Sequence, residues 1–210
     1  MSAAKILTSP SPPSEEPGTV LFETERLIIR RYLLSDAPNT SALANDLSVA
    51  YNLRDRFPSP YTLADAEEFL GMACKPNGTA YPADSGIFIK PNTPGNPSPT
   101  ELFIGGIGIL ALKDVYYRTW ELGYWIGTSA SGKGYATEAT RAFVRWVFAT
   151  WPTLNRLEAS AYARNTASQN VLRKAGFVEE GVRRGSVEKK GEVLDEVMFG
   201  LLRTDLETMS

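Results

Sequence analysis

Between residues 127 and 139 the chain reads GTSASGKGYATEA, with two glycines around a lysine where an aromatic and β-branched run gives way to helical spacing. A strand that passes directly into a helix through glycines exposes unpaired N–H groups at the positive end of the helix dipole, where phosphates bind. Gly132 and Gly134 let the main chain turn tightly and approach a ligand, and Lys133 adds a point charge. A plain turn accounts for Gly-x-Gly at a helix start equally well. Two common phosphate loops do not match: Walker A needs Gly-x-x-x-x-Gly-Lys-Ser/Thr, the dinucleotide fingerprint needs Gly-x-Gly-x-x-Gly, and Gly134 is followed by Tyr135-Ala136-Thr137.

The chain contains no histidine. That excludes a Ser-His-Asp triad, a Cys-His pair, an imidazole base and a histidine-ligated zinc site. Proton chemistry falls to carboxylates, Tyr, Ser, Lys, water or the single cysteine, Cys74. One cysteine also excludes an internal disulfide framework and a thiolate metal cluster, and fits a reducing compartment. A small hydrophobe near a helix is the plain account of Cys74.

With 210 residues, 43% hydrophobic and 22% charged, and a net charge of -2, the chain is sized for one domain and resembles neither a disordered chain nor a basic nucleic-acid binder. An anionic ligand must therefore be held locally. No apolar stretch approaches a membrane span and no apolar signal core opens the chain, so a cytoplasmic protein without membrane or nucleic-acid partners is expected.

The elements that must position the glycine loop follow from the pattern. Residues 1–20 carry four prolines among Ser and Glu and read as a flexible tail; residues 21–206 form the expected domain. Arg26–Tyr32 is a strand, and Ser35-Asp36 caps a helix to about Leu47. Thr62 caps a second helix with Ala66, Phe69, Leu70, Met72 and Ala73 facing inward. Strands over Ser85–Lys90 and Leu102–Leu112 flank a proline-rich exposed loop, residues 91–101. Tyr117–Ile126 is the next strand, interrupted by Gly123, and Gly127 follows; such glycines mark bulges or close backbone approaches. An amphipathic helix buries Ala136, Ala139, Phe143, Trp146 and Val147, with Glu138, Arg141 and Arg145 opposite. Leu157–Ala163 is a strand with a small-residue face, Asn165 caps a helix that Gly176 ends, and residues 182–188 and 193–201 form a hairpin. The result is a mixed α/β layer protein in which an antiparallel meander leads into a strand-helix-strand crossover.

The segment GYWIGTSASGKGYATEA resembles the Gln/Arg-x-x-Gly-x-Gly/Ala acetyl-CoA loop of the GNAT family of N-acetyltransferases. NTASQNVLRKAGFVEEG is similar to the Asn-x-x-Ser, Lys-x-Gly-Phe segment of its RimJ/RimL-like branch, and ETERLIIRRY extends the likeness to about residues 22–204. One departure is that Ser129 stands at the usual Gln/Arg position, which shifts pyrophosphate binding toward backbone N–H groups.

The resemblance implies the GNAT acyl-CoA N-acyltransferase fold, a mostly antiparallel twisted sheet flanked by helices with splayed central strands. It implies acetyl transfer from acetyl-CoA, a cosubstrate, to a primary amine in a ternary complex, without a metal; the acceptor is a protein N-terminus or a small-molecule amine, and the protein a monomer or homodimer. Ser131, Gly132, Lys133, Gly134, Tyr135 and Ala136 would hold the pyrophosphate. Pantetheine would thread between Tyr117–Ile126 and Arg156–Ala163, with a backbone N–H of Tyr124, Trp125 or Ile126 as the oxyanion donor and Gly123 opening the gap.

Acetylation needs a base for an amine whose pKa is about 10 when lysine-like, and a proton for the leaving thiolate. Glu121 is the first base candidate, although an exposed strand carboxylate paired with arginine explains it as well; Asp195 and Glu196 come second. Glu138 fits a surface ion pair or a helix-dipole role better. The tyrosine that many family members use as the acid falls here on Leu172. Ser168 is the remaining candidate, beside its reading as a cap residue near Asn165; Asn165 combines N-cap and pantetheine roles, and Asn170 is a further CoA contact. Arg173, Lys174, Arg183 and Arg184 extend the anion site or simply face solvent. Tyr51, Phe57, Tyr61, Tyr124 and Trp125 wall an acceptor pocket or pack the core. A non-catalytic CoA-binding regulatory or scaffold module on the same fold is the alternative function.

Overall fold

The computed structural model describes residues 5–208. Its strands are β1 (Val20–Glu23), β2 (Leu27–Arg30), β3 (Ser85–Ile89), β4 (Leu102–Ala111), β5 (Thr119–Ile126), β6 (Arg156–Tyr162), β7 (Val178–Lys189) and β8 (Glu192–Leu202). Its helices are α1 (Ala37–Ala44), α2 (Leu47–Ala50), α3 (Leu63–Ala73), α4 (Tyr135–Thr150), α5 (Thr166–Lys174) and α6 (Arg203–Thr208). These elements make up two compact units. One holds Pro13–Gly108 and Tyr124–Ala139; the other holds residues 5–12, Ile109–Gly123 and 140–208. The mixed α/β, mostly antiparallel architecture expected from the sequence is what the chain adopts.

In the first unit β1, β2, β3 and β4 pair in sequence order, all antiparallel. The sequence pattern missed β1, which lies at the boundary assigned to the tail. Residues 1–4 of that tail lie outside the described residues; further along, the Glu15 carboxylate accepts from the N–H groups of Asn77, Gly78 and Ala80. The core joins Tyr32, Ala37, Ala44, Tyr61, Ala66, Leu70, Phe88 and Phe103. Arg30 and Asp36 are buried beside it, and the Arg30 guanidinium donates to both Asp36 oxygens at 2.8 Å, donates through Nε to Glu101 at 2.6 Å and stacks 3.8 Å from the Phe88 ring centroid. Burial works against the Arg30 charge, but its hydrogen bonds to Asp36 and Glu101 outweigh that and raise its pKa.

Several expectations change here. The helix expected to reach Leu47 stops at Ala44, because Asp46 starts a new helix by accepting from the Ser48 N–H at 2.8 Å. Asp36 makes no capping bond to α1; its carboxylate instead holds Arg30 and the Leu33 N–H. Thr62 does cap α3, in a reciprocal box with Asp65, and Ala66 and Leu70 face inward, but Met72 is 60% exposed because the buried stripe has rotated past it. Within the loop of residues 91–101, Asn96 is buried and its side chain donates to the Thr100 carbonyl at 2.7 Å.

In the second unit β5 pairs with β6 in parallel, joined through α4, and β6, β8 and β7 continue antiparallel. Trp120, Trp151, Phe143, Phe148, Leu154, Leu157, Phe199 and Leu201 pack there, with the Trp120 and Trp151 rings 5.1 Å apart. The Arg203 guanidinium donates to the carbonyls of Phe148, in the last turn of α4, and of Trp151 and Leu154 just beyond it.

Candidate active site

The glycine loop lies in the first unit. After β5 the chain makes a short turn over Thr128–Ala130, and Gly132 and Gly134 follow with φ of +73° and +82°. These left-handed conformations favour glycine. A side chain at Gly132 would meet nothing within 4 Å, and one at Gly134 only the Arg26 guanidinium at 3.5 Å. The loop thus presents backbone toward open space. The first bond of α4 runs from the Glu138 N–H to the Gly134 carbonyl at 3.0 Å. The N–H groups of Tyr135, Ala136 and Thr137 precede it and are available to an anion.

The loop is pinned at several points. The Gly127 N–H donates to the Ile104 carbonyl at 2.9 Å, and a side chain at Gly127 would collide with Leu43. The Thr128 hydroxyl donates to Asp46, the cap of α2. Hydrogen bonds from Ser48 and Thr128 hold the Asp46 carboxyl below its ordinary range. The Lys133 ammonium folds back to donate to the Ser129 carbonyl at 2.9 Å. The Tyr135 ring is buried beneath the Arg26 guanidinium, whose centre stands 4.5 Å from the ring centroid, so Tyr135 offers its backbone alone to a ligand.

Glu138 does not pair with Arg141 or Arg145. Its Oε1 accepts from the Thr24 hydroxyl at 2.6 Å and the Arg26 N–H at 3.0 Å, and its Oε2 from Arg26 Nε at 2.6 Å. Burial opposes its ionisation, but these hydrogen bonds and the Arg26 charge outweigh it and leave the carboxyl below its ordinary range. Its contribution to stability is therefore present above the unfolded carboxylate pKa and lost as pH falls through the lowered folded value. The sequence pattern does not single out Arg26 and Thr24 as site residues, although both lie within the ETERL segment.

Tyr124, Trp125 and Ile126 form the end of β5 in this unit and are half-buried. Trp125 packs edge-on against Phe57 and Phe103, with centroids 5.6 and 5.9 Å apart, and Phe57 lies 4.8 Å from Tyr61. Tyr61 and Phe103 are core side chains, and half-buried Phe57 and Trp125 pack against that core. Cys74 is half-buried, its thiol donates to the Tyr32 carbonyl at 3.3 Å, and burial pushes its pKa up, which does not suit a nucleophile.

The other candidates belong to the second unit. Glu121 occupies the last paired rung of β5 and β6, opposite Glu158. Its neighbours Trp120 and Leu122 are buried, so Glu121 points to the opposite, more open face of β5. Beyond this rung Ala159–Tyr162 of β6 pair with β8 and no longer with β5. A side chain at Gly123 would meet nothing within 4 Å. Asn165 is the N-cap of α5, accepting from the Ser168 N–H at 3.1 Å, and exposed Asn170 accepts from Arg173 at 3.3 Å. Of the second-choice carboxylates, Asp195 accepts from the Gly185 N–H at 2.8 Å and Glu196 from the Ser160 hydroxyl at 2.6 Å, with Arg183 3.6 Å from Glu196. Arg173 is engaged with Glu179 at 2.6 Å. Among the described residues no group of three or more His, Cys, Asp or Glu is arranged to hold a metal, and no helix is long and apolar enough to cross a membrane.

Comparisons with known proteins bear on the family and the fold. The family model "Acetyltransferase (GNAT) domain" matches residues 26–178. A Bacillus licheniformis protein named "Uncharacterized N-acetyltransferase p20" is 29% identical over 183 residues, covering 87% of this chain and 96% of that protein. A GNAT-family acetyltransferase structure from Bacillus anthracis superposes with a TM-score of 0.69 at 23% identity, covering 86% of this chain and 96% of that one. The structure of RimL, named as the ribosomal L7/L12 alpha-N-protein acetyltransferase in complex with coenzyme A, gives a TM-score of 0.71 at 17% identity, covering 87% and 97%. Both structural likenesses speak to the fold. A glycine loop that opens onto a helix N-terminus, beneath a matching family model over most of the chain, identifies the chain as a member of the GNAT acetyltransferase family, an N-acetyltransferase that uses acetyl-CoA.

Proposed function

We propose that residues 131–136 hold the pyrophosphate of acetyl-CoA and that the acetyl group passes directly to a primary amine, with Glu121 as the base. The observation that carries this reading is the paired left-handed glycines, Gly132 and Gly134, whose open side faces no protein atom but the Arg26 guanidinium. The backbone N–H groups of Gly132, Gly134, Tyr135 and Ala136 supply the donors that Ser129 cannot, and Lys133 and Ser131 complete the cradle.

Acetyl-CoA supplies a thioester carbonyl, and this chain's residues move the protons. Glu121 takes the proton from the amine as the nitrogen attacks the carbonyl carbon. A main-chain N–H of Tyr124, Trp125 or Ile126 donates to the carbonyl oxygen as negative charge grows there. Ser168 donates a hydrogen bond to the departing sulfur, while Asn165 and Asn170 bind the pantetheine. A cytoplasmic setting fits an acetyl-CoA-dependent protein with one free cysteine.

The acceptor is best read as the α-amine of a protein or peptide, the acceptor class named for RimL, with a small-molecule amine as the second reading. CoA release measured over a panel of N-terminal peptides and free polyamines and amino acids tests this. Peptide kcat/KM at least about tenfold above every small amine is the expected result. The reverse ranking assigns a small-molecule acceptor.

A further inference from the structure

We propose that Arg26 is a positioning residue for acetyl-CoA: it fixes the Lys133–Gly134 peptide so that the Gly134 N–H faces the ligand. The inference rests on the reading of residues 131–136 as the pyrophosphate cradle.

Arg26 reaches the loop from just before β2, more than one hundred residues away in sequence. One Nη1 N–H donates to the Lys133 carbonyl at 3.1 Å. In a trans peptide the carbonyl and the following N–H point in opposite directions, so holding the Lys133 oxygen on the Arg26 side turns the Gly134 N–H away from it. Glycine at +82° on one side of that peptide gives the backbone no torsional preference to do this unaided. The same guanidinium is itself fixed: Nε and Nη2 lie 2.6 Å from Glu138 Oε2, and its plane lies over the Tyr135 ring. Glu138 is oriented in turn by the Thr24 hydroxyl and the Arg26 backbone N–H. Arg26 therefore ties residues 133 and 135 of the cradle, and Glu138 in the first turn of α4, to one planar group.

Most of the Arg26 charge is answered by Glu138, so its effect comes from the three-way geometry rather than from a free cation attracting phosphate. A lysine keeps the charge but is a point donor without the planar fork. This separates the two accounts by experiment.

Calorimetry with CoA and with pantetheine, which lacks the pyrophosphate, is run on the parent protein and on Arg26→Gln, Arg26→Lys and Gly134→Val. Arg26→Gln should weaken CoA about tenfold and leave pantetheine unchanged, and Arg26→Lys should recover less than half of that loss on a logarithmic scale. Equal losses for CoA and pantetheine, or full recovery with lysine, overturn the positioning role. Should Gly134→Val weaken CoA while Arg26→Gln leaves it within twofold, Arg26 plays no such part although the cradle stands. If Gly134→Val also leaves CoA affinity unchanged, the cradle reading fails and the inference with it.

Discussion

Glu121→Gln is expected to lower kcat by about 100-fold or more at neutral pH, with little change in the KM for acetyl-CoA. The amide keeps the shape of the side chain on the open face of β5, where Trp120 and Leu122 lie on the other side, and removes its negative charge and its ability to take a proton. The defect should shrink as pH rises toward about 10, because a lysine-like amine then loses its proton to solvent without help. An unchanged kcat at pH 7 would remove Glu121 from the chemistry and return the role of base to Asp195 or Glu196. Both already accept hydrogen bonds, Asp195 from the Gly185 N–H and Glu196 from the Ser160 hydroxyl.

Asp36→Ala should cost about 3–5 kcal/mol of folding stability and lower the Tm by about 10 °C. Arg30 is 6% exposed and would keep only the more open Glu101 as a charged partner, while the Leu33 N–H would lose its acceptor. Replacing both partners, as in Arg30→Met with Asp36→Leu, should cost less than the single change, since no unpaired charge stays buried. Thermal unfolding followed by circular dichroism checks both, and a double variant less stable than Asp36→Ala would contradict the account.

What could be read from the sequence was local. Thr62 with Asp65 three residues on specifies a capping box, and α3 begins there. Leu157, Ala159 and Ala161 alternate on one face of a strand and are all buried. Asn165 and Gly176 bracket α5 as caps do, and the glycine loop runs into α4 at the expected junction. These features arise from interactions within a few residues, which the order of amino acids records directly.

What stayed hidden depends on register and long-range pairing. Glu138 has arginines at helical spacing on its own helix, yet it pairs with Arg26, 112 residues away. Asp46 falls inside the helix expected to reach Leu47, but it both starts α2 and receives the Thr128 hydroxyl. Asn96 sits in a proline-rich stretch that reads as solvent-facing, and it is buried because its amide closes the turn. The face on which Glu121 lies could not be read without the burial of Trp120 and Leu122, since a shift of one residue reverses every side chain of a strand.

Calorimetric titration of acetyl-CoA into the parent protein and Gly134→Val tests most directly whether the glycine loop is the place where acetyl-CoA is held. A β-branched residue at φ +82° strains the backbone that presents the loop N–H groups, while its Cβ meets no protein atom closer than the Arg26 guanidinium at 3.5 Å. Affinity should fall by about 100-fold or become unmeasurable, while the unfolding transition stays cooperative. Parent-like affinity in the variant would contradict the assignment of residues 131–136 as the pyrophosphate site.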